Sequence, residues 1–135
     1  MAMTNIGTGS YTVFTPIAAE LMGLPTDRVR MLLVDSDFPE TPGSDGSFGA
    51  ASAGSGLFDA CTNLRTSLAR RLGVEPALAV FAQGRVSAKG KSETLGALAG
   101  TLGLEASGEI QPGSMSSKFS QQSFGAQGCA SRRGR

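Results

Sequence analysis

The residues best suited to chemistry in this 135-residue chain lie in two glycine-rich turns, Ile6-Gly7-Thr8-Gly9 and the run Pro42 to Gly56, PGSDGSFGAASAGSG. The second is built almost wholly from Gly, Ser and Ala, so few side chains cover its backbone N–H groups. An amphipathic series follows at once, Leu57, Cys61, Leu64, Leu68 and Leu72, so the run reads as a loop that opens a helix. Such a junction offers orphan amides and a positive dipole end to an anion. On composition alone, the same run also reads as a flexible linker. Composition alone favours the linker, while the pairing with Gly7–Gly9 leaves the anion cradle open, because two such turns could present amides to one extended ligand.

Other chemistries are excluded by residue type. The chain has no His, which removes Ser-His-Asp and Cys-His catalysis and most zinc and haem sites. It contains no GxxxxGK[ST], and the Gly7-Thr8-Gly9 turn lacks the third glycine and the preceding strand of a dinucleotide fingerprint. Cys61 and Cys129 stand apart and outside any CxxC pair, so neither a disulfide nor a cysteine metal site is expected. Cys61 sits on an apolar helix stripe, where a packed thiol is expected rather than a nucleophile. Asp35, Asp37, Glu40 and Asp45 crowd the approach to the second turn and read as solvated loop carboxylates rather than metal ligands. Glu20 and Asp59 read as helix surface.

Bulk composition bounds the rest. A chain with 40% hydrophobic and 17% charged residues is globular. Its 19 glycines are about twice ordinary usage and point to sharp turns and close backbone approaches. The net charge is +1, and without Arg132, Arg133 and Arg135 it falls to −2, so there is no basic face. With one Tyr, no Trp and scattered Phe, no nucleic-acid platform is visible. No apolar run reaches the length of a membrane span, and MAMTNIGTG has neither a basic n-region nor an apolar h-region, so no membrane association and a cytoplasmic location are expected.

The elements that must position these turns follow from periodicity. Thr8 or Ser10 is expected to cap a helix running to about Met22, with Phe14, Ala18, Met22 and Val13, Ile17, Leu21 facing the core. Gly23 and Pro25 stop it. Pro16 should kink it or move its start. The near-continuous apolar run Val29–Asp35 predicts a strand covered on both faces. A long helix runs from Ala50 or Ser52 to Leu72. Leu78–Ala82 and Arg85–Ala88 form a hairpin about Gln83-Gly84. Ser92–Leu104 reads as a helix capped by Ser92 with a Leu95, Leu98, Leu102 stripe, and Glu105–Gln111 as a last strand. The fold class is α+β, in the order α-β-α-β-β-α-β. Residues 1–127 read as one partial domain. Residues 128–135 read as a divergent, unpatterned tail.

The ordered series from NIGTG through IAAELMGLPTDRV, VDS, PGSDGSFG and DAC resembles the molybdopterin-binding subunit of the xanthine dehydrogenase/aldehyde oxidase family. The later pieces GRV, EASGEIQPG and SFGAQ resemble it too, so the likeness covers about residues 4 to 127. The resemblance implies an oxidoreductase that hydroxylates aldehydes or N-heterocycles. It implies molybdenum carried on molybdopterin, often as the cytosine dinucleotide, and iron–sulfur and flavin partners. Matched position by position, it implies cofactor contacts from Ile6, Gly7, Thr8 and Gly9 and from Ser44, Gly46, Ser47, Gly49 and Ala50.

The departures are specific. The family's catalytic Glu lies in a GVGE-type motif, and no Gly-x-Gly-Glu occurs here, so no catalytic residue is assigned. Asp45 stands where the family has Gly or Ala, and a carboxylate there repels pyrophosphate. Val34 replaces a Gly before Asp35-Ser36. The expectation is a fragment of a molybdenum hydroxylase that contributes cofactor-binding loops and is inactive alone. The alternative is a non-enzymatic degenerate fragment, or a small interaction or anion-binding domain.

Overall fold

A computed structural model describes residues 1–41, 43, 46 and 49–109. Helix α1 spans Ser10–Met22 and helix α2 Gly49–Leu72. Strands β1 (Val80–Ala82), β2 (Arg85–Ala88) and β3 (Lys91–Thr94) follow, then the short helix α3 (Leu95–Ala99). Single 3-10 turns at Thr26–Arg28 and Pro76–Leu78 punctuate the connections. The class is α+β, with the three strands in one antiparallel meander ordered β1-β2-β3.

α1 and α2 form the spine, and the contacts between them fix their relative direction. A Cβ on Gly54 of α2 would lie 3.6 Å from the Phe14 ring of α1, and further along both helices the Arg65 guanidinium donates to the Leu21 carbonyl. Early meets early and late meets late, so the two helices run parallel. Phe14, Ala53, Met3 and Leu33 build one buried cluster near the amino ends. Ala18, Met22, Cys61, Leu68, Ala69, Ala79 and Val86 build the second, further along. The stripes read from the sequence supply both: Phe14, Ala18 and Met22 are buried, whereas Val13 is 41% exposed. At 24 residues against 13, α2 extends about 16 Å beyond α1, and the sheet and α3 pack there.

Helix ends follow glycine. Gly23 closes α1 at φ 63°, its amide bonding Glu20 O while Leu24 N bonds Ala19 O. Gly73 closes α2 in the same way, with Val74 N on Ala69 O. The turn Gln83-Gly84 has φ 51° and 72°, as a two-residue hairpin requires, and sets the register Val80↔Ser87 and Phe81↔Val86. Gly84 N donates to Gly23 O at 2.8 Å, so the hairpin is tied to the carboxyl end of α1.

Several expectations are corrected. The run Val29–Asp35 forms no ladder with any described strand. Parallel neighbouring helices need a long return path, and this run supplies it, leading from the second core cluster to Leu33 in the first. Ser92 does not cap a helix: Lys91–Thr94 is strand β3, turned by Lys89-Gly90 at φ 48° and 79°. Thr94 caps α3 instead, its Oγ1 accepting from Ala97 N at 3.1 Å. α3 stops at Ala99, so Leu95 and Leu98 join the core while Leu102 is fully exposed. Residues 105–109 form no strand, and the rest of the expected Glu105–Gln111 strand lies outside the described residues, as do the tail 128–135 and Cys129.

Pro16 sits inside α1 without ending it. Asp59 is more than helix surface: its Oδ2 accepts from Glu109 N at 3.1 Å, and Asn63 Nδ2 donates to Ser107 O at 2.9 Å. Together they strap residues 104–109 across α2. Gly108 lies so close that a Cβ there would collide with the backbone of Gly56 and Ala60.

Candidate functional site: an amide cradle at the paired helix amino ends

The parallel packing carries both glycine turns to one end of the molecule. Gly9, not Thr8 or Ser10, is the N-cap of α1, and it adopts the left-handed conformation, φ 78° and ψ 22°. No side chain caps the helix. Thr8 and Ser10 face each other instead, Oγ1 to Oγ 3.4 Å apart. The first turn of α1 therefore keeps its leading amides uncapped by side chains, and neither α1 nor α2 carries an acidic residue in its first turn.

Gly7 is left-handed too, at φ 87°. A Cβ built on Gly7, Gly9 or Gly46 meets nothing within 4 Å. The Gly7 and Gly9 backbones are open to solvent and bare of side chain, as an anion requires for close approach. One donor is partly occupied: Gly7 N donates to Asn5 Oδ1 at 3.2 Å. Ile6, 68% exposed, extends the same rim.

The second turn meets the first through Met3. Met3 is buried against Phe14, Leu33 and Ala53, and its Cε lies 3.2 Å from where a Cβ on Gly49 would sit. Ala50 is exposed on the opening turn of α2. Ile6, Gly7, Thr8, Gly9, Gly49 and Ala50 thus belong to one end of the helix pair. Gly46 is exposed, and Ser44, Asp45 and Ser47 lie outside the described residues.

The return path frames the cradle. Tyr11 Oη donates to Leu33 O at 3.4 Å, the Met1 amine donates to Leu32 O at 3.1 Å, and Ala2 N donates to Pro39 O at 3.0 Å. Partial burial lowers the Met1 amine pKa, and Asp35 opposes that shift. Asp35 also holds a local turn, its Oδ1 accepting from Asp37 N at 3.0 Å. Among the described residues, no three His, Cys, Asp or Glu side chains converge as a metal would need. Cys61 is far along α2; burial raises its pKa, and the nearby Arg65 opposes this more weakly. Arg65 stands one helical turn on from Cys61.

Bare, left-handed glycines at an uncapped helix end, joined through Met3 to a second glycine-rich helix start, make a candidate anion site. The sequence matches the molybdopterin cofactor-binding domain model over residues 1–131, and the chain belongs to that family. The family's description names molybdopterin as the cofactor of the domain. Among curated relatives, the chain is 38% identical over 122 residues to the aldehyde oxidoreductase molybdenum-binding subunit PaoC of Escherichia coli K12, and equally to that of Escherichia coli O157:H7. The aligned stretch covers 90% of this chain but 17% of each relative, so the chain spans about one sixth of their length. No helix among the described residues is long and apolar enough to cross a membrane.

Proposed function

We propose that this chain provides the backbone turns that hold the pyrophosphate of a molybdopterin dinucleotide in an aldehyde-oxidising molybdenum enzyme. The observation that carries this reading is the parallel pairing of α1 and α2, with Gly7 and Gly9 open at the shared end. When bound, the cofactor would supply molybdenum-centred hydroxylation of an aldehyde using water oxygen. The chain's own share is binding. Gly7, Gly9 and the first amides of α1 donate to one side of the anion. Gly46, Gly49 and the opening turn of α2 face it from the other, with Ser44 and Ser47 supplying hydroxyls. Ile6 and Thr8 line the rim.

The family match and the relatives' name support molybdenum and an aldehyde substrate class. The cytosine form of the dinucleotide, iron–sulfur and flavin partners and a cytoplasmic setting belong to the same reading. So does the division of residues 1–127 as the binding unit and 128–135 as its tail. No Gly-x-Gly-Glu base motif occurs in the sequence, so the reaction's base is assigned to a part of the enzyme that this sequence does not include, and the chain alone is inactive.

Titration calorimetry with cytidine diphosphate tests the cradle. Wild-type chain should bind it, Gly46→Val should weaken binding by about tenfold or more, and Arg132→Ala should leave it unchanged. Asp45→Gly should tighten it by removing a like charge. Equal binding by wild type and Gly46→Val would overturn the assignment.

A further inference from the structure

Ser10 opens α1 beside the first glycine turn and is 5% exposed, the one polar residue buried to that degree among the described residues. Its Oγ has a single partner, Thr8 Oγ1 at 3.4 Å, and by distance alone either oxygen qualifies as the donor. The hydroxyls of Thr15, Ser55, Thr62 and Ser67 each donate to a carbonyl one turn back along their helix. Ser10, at the first position of α1, has no preceding turn to return to. Burial decides the direction of its bond. Each hydroxyl carries one hydrogen. If Thr8 donated, the Ser10 hydrogen would be enclosed without an acceptor, an arrangement that folded proteins avoid. If Ser10 donates, both groups are served, because Thr8 is exposed and turns its own hydrogen outward.

We propose that Ser10 is a positioning residue of the cradle: it donates to Thr8 from below and so fixes the exposed Thr8 hydroxyl as a donor to a phosphate oxygen of the bound anion. The inference rests on the cofactor reading above, which the family match supports independently of the helix end. Phosphate oxygens at neutral pH are acceptors, so only a hydroxyl with its hydrogen turned outward serves them. A hydroxyl that already accepts one hydrogen bond also donates more strongly, since successive bonds polarise one another. The 3.4 Å separation is long for a hydroxyl pair. Such bonds tighten when the ligand is in place and draws on the outer donor.

A double-mutant cycle on the full chain, read by titration calorimetry with cytidine diphosphate, tests this. Thr8→Val keeps the shape of the rim and removes the donor, and should weaken binding by about tenfold. Thr8→Ser keeps the hydroxyl and should bind as wild type does. Ser10→Ala fits the buried position and does not itself reach the anion. It should weaken binding by about threefold in the wild-type background and not at all beside Thr8→Val, because the two residues act as one unit. Ser10→Gly should repeat that pattern and serves if Ser10→Ala fails to fold. An equal loss from Ser10→Ala in both backgrounds would make Ser10 a packing residue and overturn the proposal. Thr8→Val that binds as tightly as wild type would overturn it too. If Gly46→Val weakens binding while Thr8→Val does not, only the Ser10 and Thr8 assignment fails. If wild type does not bind, or binds no better than Gly46→Val, the cradle reading fails and this proposal with it.

Discussion

Arg65 of α2 holds its guanidinium carbon 4.3 Å from the ring centroid of Phe81 on β1. The same side chain donates to the Leu21 carbonyl in the last turn of α1. One residue thus joins both helices to the sheet, and its half-buried position makes the contact with the ring stronger than at an exposed site. Arg65→Ala should cost about 2 kcal/mol, from the lost ring contact, the lost hydrogen bond and the lost aliphatic packing. Arg65→Lys should recover only part, since an ammonium cannot stack and fork at once. Urea denaturation of the two variants with Phe81→Leu as the second arm of a double-mutant cycle measures the coupling, expected at about 0.5–1 kcal/mol.

Val34 should stabilise the chain when replaced by glycine. It adopts φ 68°, a conformation that a β-branched residue resists. The left-handed form costs roughly 1–2 kcal/mol for a residue with a Cβ, and glycine's extra unfolded freedom returns part of that. Val34→Gly is therefore expected to raise stability by about 0.5–1 kcal/mol, seen as a higher urea midpoint with unchanged slope. The family pattern has glycine before Asp35-Ser36, and the backbone angle gives the physical reason.

Gly108→Ala should release the strap across α2. A methyl there collides with the helix backbone at Gly56 and Ala60, which cannot yield as a side-chain tip could. The expected outcome is loss of exchange protection at the Glu109 amide, which Asp59 now accepts, with α2 itself intact. Gly23→Ala should be more damaging, because the added Cβ meets the Phe81 backbone and φ is 63°. A loss of about 2–4 kcal/mol is expected.

Cys61 gives the chain an alkaline limit. Burial raises its folded-state pKa above the ordinary 9.0, so the folded chain binds the thiol proton more tightly than the unfolded chain does. The stabilisation is complete below pH 9.0 and is lost as the pH rises from there through the folded value. Thermal midpoints from pH 8 to 10.5 should fall more steeply for wild type than for Cys61→Ala. At neutral pH the thiol should react slowly with a disulfide reagent until the chain is unfolded.

Both helices, their glycine stops and the Gln83-Gly84 hairpin were legible in the sequence because each is decided locally, by periodicity and by residues that tolerate positive φ. The Val29–Asp35 run was misread because continuous apolar residues report a need for cover, not the presence of a pairing strand. β3 was missed for the opposite reason. Its residues Lys-Ser-Glu-Thr carry no apolar signal, and only the Lys89-Gly90 turn marks it. That turn has the same chemistry as Gln83-Gly84 and could have been recognised. The displaced cap follows: Thr94, not Ser92, precedes the first helical leucine. At the candidate site, Gly7 and Gly9 were visible as residue types, but the parallel direction of α1 and α2 was not, since it depends on contacts between Phe14 and Gly54 and between Leu21 and Arg65.

Two helices that point the same way also bring like poles together. Each amino end carries about half a positive charge, and the packing of Met3, Phe14, Leu33 and Ala53 holds the pair side by side against that repulsion. An anion seated between the ends turns the repulsion into a shared attraction. If the proposed anion binds there, ligand affinity and helix-pair stability should rise and fall together. A core substitution at Phe14, which touches no ligand, would then weaken binding as surely as a change in the glycine turns.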